Sequence, residues 1–163
     1  MADSSRLAML KALTSLLEGI TPGNGFAHDL SNEVYRGRYN FGTEVNGTNM
    51  VSLIEAPEQQ EPDHVTDARV RKVELKVQLW GVTASQGSHK NPSDEAYALL
   101  ADVIKKLSEI NNPSSANYFL GEKLVDTLAM DTGVVRCPEE GICKTPFFVA
   151  NLVLTYVEDL MAP

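Results

Sequence analysis

The feature that most constrains the fold is a strict alternation in the middle of the chain. Val73, Leu75, Val77 and Leu79 alternate with Glu74, Lys76, Gln78 and Trp80. Successive strand side chains point to opposite faces, so this period of two predicts a strand with one apolar face against a core. The polar face is wet or lies at an interface. Trp80 stands on that polar side, either as an exposed aromatic anchor or tucked inward at the strand end. A second run, residues 147–157, is apolar in both phases: Phe147, Val149, Val153 and Val157 in one, Phe148, Ala150, Leu152 and Leu154 in the other. Such a run predicts a strand buried on both sides, inside the sheet or at a subunit contact. A short acidic tail is expected over residues 157–163.

Two segments carry helical spacing instead. Leu7, Leu10, Leu13, Leu17 and Ile20 fall at three- and four-residue steps within residues 4–20, with Leu16 beside the stripe. Thr21-Pro22-Gly23-Asn24-Gly25 then stops the helix, because proline cannot continue it and glycine accepts left-handed backbone. Asn91-Pro92-Ser93-Asp94-Glu95 predicts a second helix start, with Asn91 as cap, Pro92 at the first helical position and acids in the first turn. Leu99, Leu100, Val103, Ile104, Leu107 and Ile110 form its apolar stripe, and Lys105 and Lys106 near its C-terminal end suit the helix dipole.

Weaker strand signals complete the set. Val34-Tyr35-Arg36-Gly37-Arg38-Tyr39 and Met50-Val51-Ser52-Leu53-Ile54 flank Asn46-Gly47, a favoured two-residue turn, so a hairpin is expected. Thr132-Gly133-Val134-Val135-Arg136 is a further strand. Residues 55–67 hold Glu55, Glu58, Glu61, Asp63 and Asp67 with no Lys or Arg, punctuated by Pro57 and Pro62, and read as a solvated acidic loop. The simplest assembly is one α+β domain over residues 1–163, a mixed or mainly antiparallel sheet with two amphipathic helices packed against it. A chain of 163 residues with 43% hydrophobic content can sustain that core.

Chemistry is sparse. His28, His64 and His89 lie in predicted loops without metal-ligand spacing, and read as surface residues. Cys137 and Cys143 are spaced too widely for a zinc half-site; free thiols are the default, with a bridge as the alternative. Gly23-Asn24-Gly25 follows a helix and lacks a closing lysine, so it is a turn and not a phosphate loop. Arg36 and Arg38 between Tyr35 and Tyr39 are weak grounds for nucleic-acid contact on a chain of net charge −8. No catalytic, cofactor-binding or metal-binding residues are assigned, and no enzyme is expected. No run approaches the roughly 20 apolar residues of a membrane span. The start of the chain has no secretory pattern, which implies synthesis in a cytoplasm.

The element order and several local phrases resemble the tail-terminator (tail completion) proteins of long-tailed bacteriophages. The residues concerned are the first helix, Val34-Tyr35-Arg36-Gly37-Arg38, Val51-Ser52-Leu53-Ile54-Glu55, and Val73 through Gly81. Asn91-Pro92-Ser93 and Leu154-Thr155-Tyr156-Val157 complete the resemblance. It implies a virion protein without a cofactor, forming a ring, commonly a hexamer, at the head-proximal end of the tail tube. Its partners would be further copies of itself, the tail tube protein and a head-proximal neck protein, with DNA only passing through. Trp80, Phe147 and Phe148 are then candidate subunit or tube contacts. Glu55, Glu58, Glu61, Asp63 and Asp67 are candidates for an acidic lumen or tube-contact loop. Another neck component, such as a stopper, and a small-ligand-binding regulatory domain remain alternatives.

Overall fold

A computed structural model describes residues 4–39, 48–57, 59, 70–85, 87–121, 124–139, 141–159 and 161. Six strands form one sheet: β1 (Val34–Arg36), β2 (Met50–Glu55), β3 (Val70–Val82), β4 (Thr127–Met130), β5 (Val134–Arg136) and β6 (Phe147–Asp159). The order is β1-β2-β3-β6-β4, with β5 also paired to β6, so β4 and β5 share one edge and β1 is the other. Helices α1 (Ser5–Glu18) and α2 (Asp94–Leu107) complete an α+β fold with a mostly antiparallel sheet.

The alternating strand is the backbone of the sheet. All thirteen residues of β3 pair with β6, from Val70↔Asp159 to Val82↔Phe147. Their register puts Leu75, Val77 and Leu79 beside Leu154, Leu152 and Ala150, and both helices bury this face. α1 covers it with Met9, Leu10, Leu13, Leu16 and Leu17; α2 covers it with Leu99, Leu100, Val103 and Leu107. Ser4 caps α1 by accepting from the Leu7 N–H at 3.3 Å. Leu7 and Ile104, both expected in the apolar stripes, stand 38% and 42% exposed on the flanks of their helices.

Several expectations are corrected. β1 and β2 run parallel, Val34↔Val51 to Arg36↔Leu53, and so form no hairpin. A two-residue turn sets strand direction only where both strands abut it, whereas β1 ends well before Asn46 and residues 37–49 leave room for a crossover. Asn46 and Gly47 themselves lie outside the described residues. The second helix is capped at Ser93, two residues later than expected, because residues 91–94 first make a turn in which the Asp94 N–H meets the Asn91 carbonyl. β6 reaches Asp159, so Glu158 and Asp159, the acids of the expected tail, belong to the strand, and Glu158 pairs with Arg71 of β3.

The expected strand at residues 132–136 begins at Val134, and β4 precedes it unforeseen. The two are one edge broken by a bulge. Pairing to β6 shifts by one residue between Met130↔Leu152 and Val134↔Val149, with Gly133 at φ +68° supplying the kink. Asp131 pins it, accepting from the backbone N–H groups of Gly133 and Asn151 at 3.0 Å each and from Asn151 Nδ2 at 2.6 Å.

Candidate functional site

The helices cover one sheet face, and among the described residues no helix covers the other. Register assigns this open face without ambiguity. One cross-strand row reads Tyr35, Ser52, Trp80, Val149, Val134; the next toward the sheet end reads Met50, Val82, Phe147, Arg136. Cys143, from the segment joining β5 to β6, packs on this end, and with Met50, Ile54, Val82 and Phe147 forms a small second core. Trp80 lies half-buried at its margin, stacked on Phe147 with ring centroids 6.0 Å apart and planes 5° from parallel.

Around that stack the face remains apolar and open. Trp80, Phe147, Val149, Val134 and Ile142 line a depression of about 420 Å³, with Arg136, Glu139 and Asn151 at its rim. Val134 is 54% exposed. Farther along the strands the same face turns polar through Gln78, Lys76, Glu74 and Lys72, opposite Asn151, Val153, Thr155 and Val157. The run at residues 147–157 is therefore fully buried in one phase only. Phe148, Ala150, Leu152, Leu154 and Tyr156 face the helices, while Val149 and Val153 are half-buried and Val157 is exposed on the open side.

The candidate residues separate on this geometry. Trp80 and Phe147 come together, Trp80 offering surface and Phe147 supporting it from below. Phe148 does not join them: it is 0% exposed in the helix-side core opposite Gly81, and presents nothing to a partner. Its neighbour in sequence points the other way because strand side chains alternate. Glu55 belongs to the end of β2 and not to a loop; its carboxylate pairs with both Nε and Nη2 of Arg6, tying β2 to the start of α1. Glu58, Glu61, Asp63 and Asp67 lie outside the described residues. Val134, Ile142 and Arg136 were not singled out as site residues, since their shared position depends on the bulge and on the chain folding back at Cys143.

Electrostatics on the open face are modest. Tyr35 donates its hydroxyl to Glu33 at 2.9 Å, and that bond, aided by burial, raises its pKa. Arg38 lies over the Tyr35 ring at 4.5 Å, so this arginine is spent on an intramolecular stack. At the sheet edge, burial pushes the Asp131 carboxyl upward, but the bonds from Asn151 and Gly133 outweigh it and hold the group below the ordinary carboxylate value.

The remaining polar candidates play structural parts. His28 is buried, contrary to its reading as a surface residue, and its Nδ1 lies 2.8 Å from Asp102 Oδ2. The same oxygen accepts from the Ala27 and His28 backbone N–H groups at 3.0 and 3.1 Å, so Asp102 of α2 clamps the loop after α1. A residue with no helical or strand period around it gives no burial signal in sequence. His89 is exposed and His64 lies outside the described residues. Both thiols are free, Cys137 exposed and Cys143 buried. Among the described residues no group of three metal-ligating side chains converges, and no helix is long and apolar enough to cross a membrane. The sequence matches no protein-family model and no curated protein.

Proposed function

We propose that this chain is a structural component of a phage tail neck, a tail-terminator-like protein that assembles as a ring, with six copies favoured, on the head-proximal end of the tail tube. The observation that carries the reading is the open sheet face. Beside the buried core around Phe147 the face keeps an open apolar depression lined by Trp80, Val149, Val134 and Ile142, and an exposed apolar patch of that kind belongs to protein contact. The order helix, two short strands, long strand, helix, strands also agrees with the resemblance set out above. In this role the protein performs no reaction and holds no cofactor. It stops tube polymerisation and offers a surface to a neck protein, while the net charge of −8 disfavours capture of the DNA passing through.

The test is end-capping. Purified protein added to polymerising cognate tail-tube protein is expected to shorten the tubes and to decorate one end of each in electron micrographs. Trp80→Ala should weaken decoration. Unchanged tube length together with bare tube ends would end this reading. Binding to a head-side neck protein without any effect on tubes would move the chain to another position in the neck.

A further inference from the structure

A ring needs two different surfaces on each subunit, and the two flanks of the helical layer supply them. On α2, Asp94, Tyr97, Ala101 and Ile104 recur at three- and four-residue steps and form one stripe. All four are exposed, Tyr97 at 59% and Ile104 at 42%. The stripe lies on the flank away from α1. The opposite flank of α2 carries Asp102, which binds His28, and Lys106, which lies against Gly19 at the end of α1. Leu100, next to the stripe, touches the Gly133 position between β4 and β5. Tyr97 and Ile104 therefore lie toward the β4–β5 side of α2.

The other flank of the molecule is a groove. α1 packs along β1, and between them Leu7, Leu10, Leu53 and Tyr39 line a hollow of about 360 Å³ that also includes Arg36 and Glu55, whose carboxylate is paired with Arg6. Leu7 is exposed at its margin. β1 and β4 end the sheet on opposite sides, so the stripe and the groove face away from each other. A chain cannot fill its own groove with its own stripe.

Their charges are complementary. Asp94 heads the stripe, whereas Arg36 stands at the groove. Neither Asp94 nor Arg36 has an ion-pair partner among the described residues. On a chain of net charge −8, copies repel one another unless such local matches orient them. We infer that the α2 stripe of one copy seats in the α1–β1 groove of the next, Tyr97 and Ile104 entering the hollow and Asp94 meeting Arg36. The contact is heterologous: each copy presents a stripe on one side and a groove on the other, and repetition closes a ring if the rotation permits. This deepens the ring reading and rests only on its claim of self-association.

Sedimentation velocity on the full chain tests it, with circular dichroism confirming that every variant is folded. The wild type is expected to assemble beyond a dimer. Ile104→Glu in the stripe and Leu7→Glu in the groove should each weaken association about thirtyfold, the size of a single hot-spot loss. Mixing the two variants is the decisive arm. The I104E chain keeps its groove and the L7E chain keeps its stripe, so the mixture should give a dimer that grows no further. Asp94→Arg and Arg36→Glu should each impair assembly, and the two changes in one chain should restore it. Variants that assemble like the wild type would overturn the inference while leaving a ring through other surfaces intact. A monomeric wild type at about millimolar concentration, or a mixture that stays monomeric, would overturn it as well. Assembly that obeys all these rules without capping tubes would uphold the interface and remove the tail role.

Discussion

Gly81 and Phe148 are cross-strand partners on the helix-covered face, and their fit sets a sharp demand. A Cβ built on Gly81 would lie 2.0 Å from Phe148 Cε1, 2.3 Å from Cζ and 2.7 Å from Cδ1. Ordinary carbon contacts sit near 3.5–4.0 Å, so the ring must move by roughly 1.5 Å. It has little room, because Phe148 is among the largest fully buried side chains. Overpacking a rigid core costs about 1–3 kcal/mol, and a fully enclosed aromatic belongs at the upper end. The restricted unfolded chain returns about 0.4–1 kcal/mol on Gly→Ala exchange. Gly81→Ala should therefore cost about 2–2.5 kcal/mol. With a urea slope of about 2 kcal/mol per molar, the unfolding midpoint should fall by about 1–1.2 M. Phe148→Leu alone should cost about 1 kcal/mol. In the double variant the smaller side chain vacates the clash, leaving it at least about 1.5 kcal/mol more stable than the two losses added together. A G81A midpoint within error of the wild type, or a strictly additive double variant, would refute the packing argument.

Lys106 is buried, with Nζ 3.1 and 3.0 Å from the two Glu109 oxygens, and Asn117 Nδ2 adds a 2.6 Å bond to the same carboxylate. Glu109→Ala strands the ammonium and should cost about 2–3 kcal/mol, whereas Lys106→Met should cost about half that; the reverse ranking in urea melts would contradict it. Asp131, whose pKa is lowered in the fold, stabilises the protein above the ordinary carboxyl value of about 3.9, and that contribution is lost as pH falls through the folded value. Asp131→Asn should thus be less stable than the wild type near neutral pH and converge with it toward about pH 2. A constant gap across the acid limb would show that the carboxylate charge is irrelevant to the bulge.

Much of this architecture was legible wherever the local period matched the burial. The alternation at Val73 to Leu79 located the central strand, and the stripes through Leu13 and Leu17, and through Leu99, Val103 and Leu107, located both helices. What escaped depends on partners distant in sequence. β4 is four residues long, Thr-Leu-Ala-Met, and holds its place through pairing with β6, not through intrinsic preference. The direction of β1 was hidden because a turn signal says nothing about strands that do not abut it. At the candidate site, Trp80 and Phe147 could be named individually, but their stacking required the register that sets Trp80 opposite Val149 and Phe147 opposite Val82. Phe148 was grouped with Phe147 by adjacency, and the pleat separates them.

The β3–β6 ladder has a kinetic consequence. Its nearest partners in sequence, Val82 and Phe147, are separated by α2, β4 and β5, and every further rung spans a longer loop. Loop-closure entropy is lost before those rungs form, so the central pairing belongs to slow, high-contact-order folding. During synthesis α1, β1, β2 and β3 emerge first, and β3 must wait with one hydrogen-bonding edge unsatisfied until β6 arrives. That waiting edge carries Arg71, Lys72, Glu74 and Lys76, charges that oppose pairing with the wrong chain. The charged positions of β3 thus guard a nascent edge that the finished sheet conceals.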